Sequence, residues 1–153
     1  MIYTLKTPFK SRRNGADVLI EQLEVPEVIT VGMMRKVSQA THLLAAHTMT
    51  EACAKLSVLD ASKVQTPDAI AYSNLLTDKL APHDEVGFEM PEIKPIRALI
   101  AKLTADIQAQ PIEFAAQVLE HSGMKREDIN ALEIGAFLPA VEGIVEVFTG
   151  PKT

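Results

Sequence analysis

The apolar positions of the chain change their period at Thr30, from loose alternation to helical spacing. Before that point, two apolar stretches, IYTLKTPF and ADVLIEQLEV, flank the polar segment KSRRNG. Alternation is typical of strands, and the Asn14-Gly15 dipeptide tolerates the positive φ angles of a tight turn. Pro26 ends the second stretch, because proline cannot donate to a strand ladder. The pattern predicts a β-hairpin over residues 2–27.

A helical region is predicted for residues 30–80. Apolar residues first recur at steps of four, three and four, which places them on one helical face; they are Met33, Val37, Ala40 and Leu44. The segment TMTE matches a capping box that starts at Thr48, so we expect the helix to break and restart there. Thr66 as N-cap, Pro67 at the first helical position and Asp68 near the positive end of the helix dipole predict another helix start.

Residues 81–95 are predicted to form a loop that opens easily, because three prolines, a glycine and several acidic residues interrupt the periodic pattern. Helices are predicted to follow over residues 95–148. Pro95 and Pro111 each open a helix, and Gly123 ends the second of them.

The last helix is predicted to pack against the helix before it through Val118 and Leu119. The apolar residues expected to be buried there are Phe137, Leu138, Val141, Val145 and Phe148. Ile144 is placed partly off this stripe, which makes it a candidate contact for a partner. Pro139 is tolerable only if the helix begins at about Gly135, since proline inside a helix removes a hydrogen bond.

These elements predict the fold class: mainly α with a small N-terminal β-hairpin, an α+β protein with a bundle of about five helices. The 153 residues suit one domain, and we predict a single domain over residues 1–153. A domain of this length buries about 68–70% of the surface of its unfolded chain, so it needs no disulfide or metal to fold. Aromatic residues make up only 5%, so the core is expected to be aliphatic.

Composition also limits where the protein works and what it binds. Cys53 is the only cysteine, and no signal segment or run of roughly 18 apolar residues is present. We therefore predict a cytoplasmic protein without membrane contact. The net charge is −5, and the basic cluster KSRR is too short to form the face that nucleic acid requires. We predict no nucleic-acid partner.

No set of catalytic residues is recognisable. His42 and His47 lie roughly 140° apart around a helix, which keeps them from sharing a metal. Cys53 lies on an apolar stripe and is expected to pack. The pair Asp84-Glu85 lacks the unlike environments that acid–base chemistry needs. The sequence predicts no catalytic, cofactor-binding or metal-binding residues, and no enzyme.

Two stretches of the chain resemble the tail assembly chaperones of long-tailed bacteriophages. The first is the hairpin YTLKTPF…NG…LIEQLEVP with the helix ITVGMMRKV, and the second is FAAQVLEHSGMKREDINALEIGAFLPAVEGIVEVF. In the second, a helix ends near a glycine, a short acidic turn follows, and an amphipathic helix ends in phenylalanine. The resemblance covers roughly residues 2–37 and 112–148. The chain departs from the family at Gly135, near which the family often has an acid.

The resemblance implies a protein that binds the tape measure protein and keeps it soluble until the tail tube polymerises, in the bacterial host cytoplasm. A tape measure is long and helical with exposed apolar faces, so recognition by an apolar groove is expected. Met33 and Met34 are candidates for that groove, because methionine adapts to irregular surfaces, and Ile144 is the third candidate. The family also suggests self-association or a longer form made by frameshifting.

Two other functions stay open at the level of sequence. A structural subunit of the tail or neck would remain in the finished virion. A small helical regulatory protein would use one of the helical hairpins, although the acidic C-terminal half disfavours this alternative.

Overall fold

A computed structural model describes residues 1–37, 39, 42–93 and 110–149. An antiparallel two-stranded sheet opens the chain and helices follow it, so the predicted mainly helical α+β fold is confirmed. The described residues hold seven α-helices, which are shorter and more numerous than the five or so expected. None of these helices is long and apolar enough to cross a membrane.

The elements in chain order are β1 (Ile2–Arg13), β2 (Ala16–Glu24), α1 (Val31–Val37), α2 (Ala45–Cys53), α3 (Val58–Lys63), α4 (Thr66–Leu75), a 3₁₀ turn (Thr77–Leu80), α5 (Pro111–His121), α6 (Arg126–Ala131) and α7 (Ile134–Thr149). Where the sequence suggested a single domain, internal contacts divide the chain into two compact units. Unit 1 comprises residues 1–29 and 39–80, and unit 2 comprises residues 30–38 and 81–153. The helix predicted to open at Pro95 lies outside the described residues.

The hairpin of unit 1 turns where the sequence predicted. Asn14 and Gly15 both have positive φ, at 52° and 79°, as a tight hairpin turn requires. Further along, the strand register shifts between the pairs Thr4–Gln22 and Phe9–Ile20, so that four residues of β1 lie opposite the single residue Glu21 of β2. Residues 5–8 therefore form a wide bulge in β1.

A single carboxylate of α4 holds this bulge. The amides of Lys6 and Thr7 donate to Asp68 at 2.9 and 3.0 Å, and the Tyr3 hydroxyl donates to it at 2.9 Å. Asp68 is only 1% exposed. Burial alone would raise the pKa of this carboxyl, but the three hydrogen bonds outweigh burial and hold the pKa below its ordinary value.

The core of unit 1 includes residues of the hairpin and of α2, α3 and α4, with α4 packed against β1 and α2. Its buried apolar residues are Leu5, Phe9, Leu23, Val25, Ile29, Ala52, Cys53, Ala61, Val64, Ala69, Tyr72 and Leu76. The Tyr72 hydroxyl donates to the Glu24 carbonyl at 2.6 Å, and the Ser11 hydroxyl donates to Asp60 at 2.8 Å. Burial raises the pKa of the Cys53 thiol to about 11, in keeping with a packing role.

The helical region 30–80 begins and breaks differently from the prediction. α1 ends at Val37, and Leu44 is exposed and precedes α2, so the predicted extension of the helical face to Leu44 is wrong. Ala40, the residue predicted between them, lies outside the described residues. The predicted capping box is also wrong, since Thr48 lies inside α2, where its hydroxyl donates back to the Leu44 carbonyl. Thr66 is the first residue of α4 and does not act as its N-cap.

Unit 2 packs α1, α5, α6 and α7 around an apolar core. The larger buried residues are Val31, Phe114, Val118, Leu119, Ile129, Ile134, Phe137, Val141 and Ile144. The prediction that Phe137 and Val141 turn inward is confirmed, and α5, with its buried Val118 and Leu119, packs against α7. Leu138, Val145 and Phe148, by contrast, are only half-buried.

Ile144 is fully buried, so the prediction that it lies off the buried stripe is wrong. Ile144 lies seven positions after Phe137, and seven steps of a helix fall about 20° short of two full turns. The two side chains therefore point in nearly the same direction. The buried stripe of α7 runs through Ile134, Phe137, Val141 and Ile144.

A half-buried ion-pair network joins α1 to α5 and α6. Arg35 binds Glu113 through two bonds of 2.8 and 3.0 Å, and its Nη1 donates to Glu120 at 2.8 Å and to Asn130 at 3.0 Å. The hydrogen bonds that Arg35 donates to the Glu113 carboxylate raise the pKa of Arg35. Burial alone would raise the pKa of Glu113, but the hydrogen bonds from Arg35 and Gln117 hold it below its ordinary value.

Candidate partner-binding groove

Residues 81–93, here called the strap, contact the beginning of α7 in unit 2. They form neither helix nor strand, so the predicted loop is confirmed over the part that the structure describes. The first contact is a hydrogen bond of 2.7 Å from the His83 amide to the Gly135 carbonyl. A predicted loop is thus fastened to a helix.

Pro139 explains why that carbonyl is available. In a regular helix the carbonyl of residue 135 would accept from the amide of residue 139, but proline has no N–H. The helix begins at Ile134, so the missing bond falls just beyond the first turn. The His83 amide satisfies the Gly135 oxygen from outside the helix.

Gly135 also provides the space that the strap occupies. A Cβ atom at this position would lie 2.7 Å from the Ala81 carbonyl oxygen and 2.8 Å from the His83 ring. Both distances are too short for real contacts, so any side chain at Gly135 would force the strap away from α7. The packing of the strap therefore requires glycine at position 135.

Side chains fasten the strap at two places. His83 Nε2 lies 3.0 Å from Glu133 Oε1, and both side chains are partly exposed. Further along, the half-buried Phe88 ring stacks on the buried Phe137 ring with centroids 6.3 Å apart. A Cβ at Gly87 would lie 2.9 Å from that of Ala136, so the strap runs close to the helix there too.

An open groove of about 460 Å³ lies between the strap and α7. It is lined by Pro82, His83, Asp84, Leu138, Pro139, Val141 and Glu142. Leu138 and Pro139 are half-buried, which leaves an apolar floor in contact with solvent. Asp84 and Glu142 are exposed carboxylates on the lining. The groove combines an apolar floor with negative charge.

The residues predicted to bind a partner do not meet in this groove. Ile144 is buried in the core of unit 2 and cannot serve as an exposed contact. Met33 and Met34 are half-buried on α1, so their proposed contact role stays a prediction. Sequence reasoning missed the groove, although the spacing of Gly135 and Pro139 inside a helical pattern was a usable signal.

The described residues contain no group of three or more His, Cys, Asp and Glu side chains that could hold a metal ion. In unit 1, His42 Nε2 lies 3.1 Å from Glu51 Oε1, while His47 Nε2 lies 2.8 Å from the Val64 carbonyl oxygen. The two histidines thus have separate partners.

Comparison with known proteins adds no relative: no family model matches the chain, and no curated protein or solved structure is significantly similar to it.

Proposed function

We propose that the protein is a phage tail assembly chaperone that binds the tape measure protein and keeps it soluble until the tail tube polymerises. The observation that carries the proposal is the order of two sequence patterns in one chain. The hairpin pattern of residues 2–37 comes first, and the helix–acidic turn–helix pattern of residues 112–148 comes last. This is a binding function and requires no catalytic residue.

The distribution of apolar side chains supports a binding role. Several large apolar residues of unit 1 keep 40% or more of their surface exposed: Val18, Leu19, Val28, Leu43, Leu44, Val58, Leu59, Ile70 and Leu75, besides Met1 and Ile2 at the start of the chain. A chaperone must keep apolar surface available for its client, and these exposed side chains are candidates for that contact.

The burial of the Cys53 thiol is consistent with a binding function. Cys53 is buried and burial raises its pKa to about 11, so the thiolate needed for nucleophilic attack is scarce at neutral pH. The proposed function does not require Cys53 to react.

The test is co-expression of the protein with the tape measure protein encoded in the same genome. We expect the soluble fraction of the tape measure to rise several-fold and the two proteins to co-elute in gel filtration. A tape measure that stays insoluble beside a folded, abundant partner would overturn the proposal.

Two further measurements separate the alternatives. Mass spectrometry of purified virions should find the protein absent, whereas stoichiometric presence would identify a structural tail or neck subunit. A slippery heptamer near the end of the gene, followed by a tape measure gene, would support the chaperone and its longer frameshifted form.

A further inference from the structure

We infer that the groove between the strap and α7 is a docking site for a basic amphipathic segment of a partner protein. An apolar side chain of that segment would enter over Leu138 and Pro139, and flanking lysines or arginines would pair with Asp84 and Glu142. The inference rests on the proposed function only for the identity of the partner. The chemistry of the segment follows from the groove itself.

The floor of the groove selects an apolar side chain. Phe137 and Ile144 point into the core, and Leu138, one step around the helix from Phe137, lies at the edge of the buried stripe and lines the groove. A volume of about 460 Å³ falls within the range of roughly 300–1,000 Å³ that is usual for ligand sites. Covering the floor would remove apolar surface from water, which is the main favourable contribution to such binding.

The charge around the groove selects a cation. The strap and the described part of α7 carry six exposed carboxylates and no lysine or arginine; the carboxylates are Asp84, Glu85, Glu89, Glu92, Glu142 and Glu146. The imidazole on the lining, His83, is already paired with Glu133 at 3.0 Å. Complementary charge steers and orients a partner, so a segment with lysine or arginine is favoured and an acidic segment is repelled.

The groove is already formed in the chain alone. The His83 amide bond to Gly135, made by one of the lining residues, and the stacking of Phe88 on Phe137 hold the strap against α7 at two points. A site that is formed before binding avoids part of the ordering cost of association. A partner segment therefore does not have to order the strap when it binds.

The experiment uses fluorescence anisotropy with a labelled synthetic peptide in which leucines alternate with lysines, titrated with the full-length protein. Two companion peptides replace every leucine with serine or every lysine with glutamate. We expect both replacements to weaken binding at least tenfold. Equal binding of the serine peptide would overturn the inference, because attraction to net negative charge would then explain the affinity.

Matched variants locate the site. Glu142→Lys and Glu146→Lys change the net charge equally on exposed positions one turn apart on α7, and only Glu142 lines the groove. We expect Glu142→Lys to weaken peptide binding about tenfold and Glu146→Lys about twofold or less. Equal effects would overturn the inference.

A second pair tests the floor. Leu138→Ser removes an apolar lining residue, and Val147→Ser removes one from the same helix outside the lining. Only the first should weaken binding; equal losses would overturn the inference. If Leu138→Ser fails to fold, the two exposed glutamate variants decide alone. Failure of the tape measure to become soluble, with peptide binding intact, would overturn the proposed function and leave the groove in place.

Discussion

Each unit holds an irregular, proline-containing segment in place through a hydrogen-bond acceptor. The acceptor is a side-chain carboxylate in unit 1 and a backbone carbonyl in unit 2. In unit 1, the bulge at residues 5–8 donates its amides to the buried carboxylate of Asp68. In unit 2, the strap donates an amide to the backbone carbonyl of Gly135, which Pro139 leaves without a helical partner. The first acceptor can be removed by substitution or protonation. The second belongs to the main chain, so no side-chain substitution removes it, and the contact is tested by displacing the strap sterically.

The largest expected effect comes from removing the ring beneath the strap. Phe137→Ala should lower the free energy of unfolding of unit 2 by about 3–5 kcal/mol, because a fully buried aromatic ring leaves a cavity. Denaturant titration with amide exchange in α5–α7 would measure the loss. Val147→Ala, at an exposed position of the same helix, should stay within about 0.5 kcal/mol. An unchanged stability of Phe137→Ala would mean that the inward face is assigned wrongly.

The side-chain acceptor of unit 1 is the next test. Asp68→Ala leaves two amides and the Tyr3 hydroxyl without their common acceptor, and we expect a loss of about 3 kcal/mol in the stability of unit 1. Thermal denaturation and the exchange rates of the Lys6 and Thr7 amides would report it. Asp78→Ala, at an exposed position, serves as the control. Amides that stay protected in Asp68→Ala would show that the carboxylate does not hold the bulge.

The main-chain acceptor of unit 2 requires a steric test. Gly135→Ala should displace the strap and destabilise unit 2 by about 1–3 kcal/mol, since its Cβ would lie 2.7 Å from the Ala81 oxygen. Faster exchange and proteolysis within residues 81–93 would measure the displacement.

Gly143→Ala is the matched control for this test, because an added Cβ meets nothing within 4 Å there. It should stabilise α7 by about 1 kcal/mol through helix propensity alone. The two alanines on one helix should therefore have effects of opposite sign, and effects of the same sign would contradict the account of the strap.

The smallest effect expected is the acid response of the bulge. The folded-state pKa of Asp68 is held below its ordinary value of about 3.9, so its stabilising contribution is complete above about pH 4 and is lost as pH falls through the lower folded-state pKa. The amide chemical shifts of Lys6 and Thr7 should follow that titration in NMR spectra. In Asp68→Asn the same shifts should lose this titration; an unchanged curve would assign it to another group.

Local patterns were sufficient to predict the hairpin and the inward side of α5 and part of α7. The Asn14-Gly15 dipeptide favours the positive φ angles of the turn that it forms. The helical spacing of apolar residues correctly indicated that Val118, Leu119 and Phe137 are buried. Ile144 was misplaced because the predicted stripe ran through Leu138 and Val145. Each of these lies about 100° around the helix from the buried residue before it, Phe137 or Ile144. A count of seven residues from Phe137 would have corrected it.

The anchors could not be predicted, because they join distant parts of the sequence. Asp68 binds amides about sixty residues away, and its position in the first turn of α4 suggested only an interaction with the helix dipole. Arg35 likewise binds Glu113 and Glu120, far along the chain. The strap was predicted as a loop that opens easily, because prolines and acids show where regular structure ends and do not show what the segment contacts.

Cys53 makes the opening of unit 1 measurable by chemical modification. It is the only thiol in the sequence and lies 2% exposed within unit 1, where burial raises its pKa to about 11. A thiol reagent needs both access and a thiolate, and the closed unit provides neither. The rate at which a thiol reagent modifies the protein at neutral pH therefore reports how often unit 1 opens. Unit 2 has no cysteine, so its opening does not contribute to this rate.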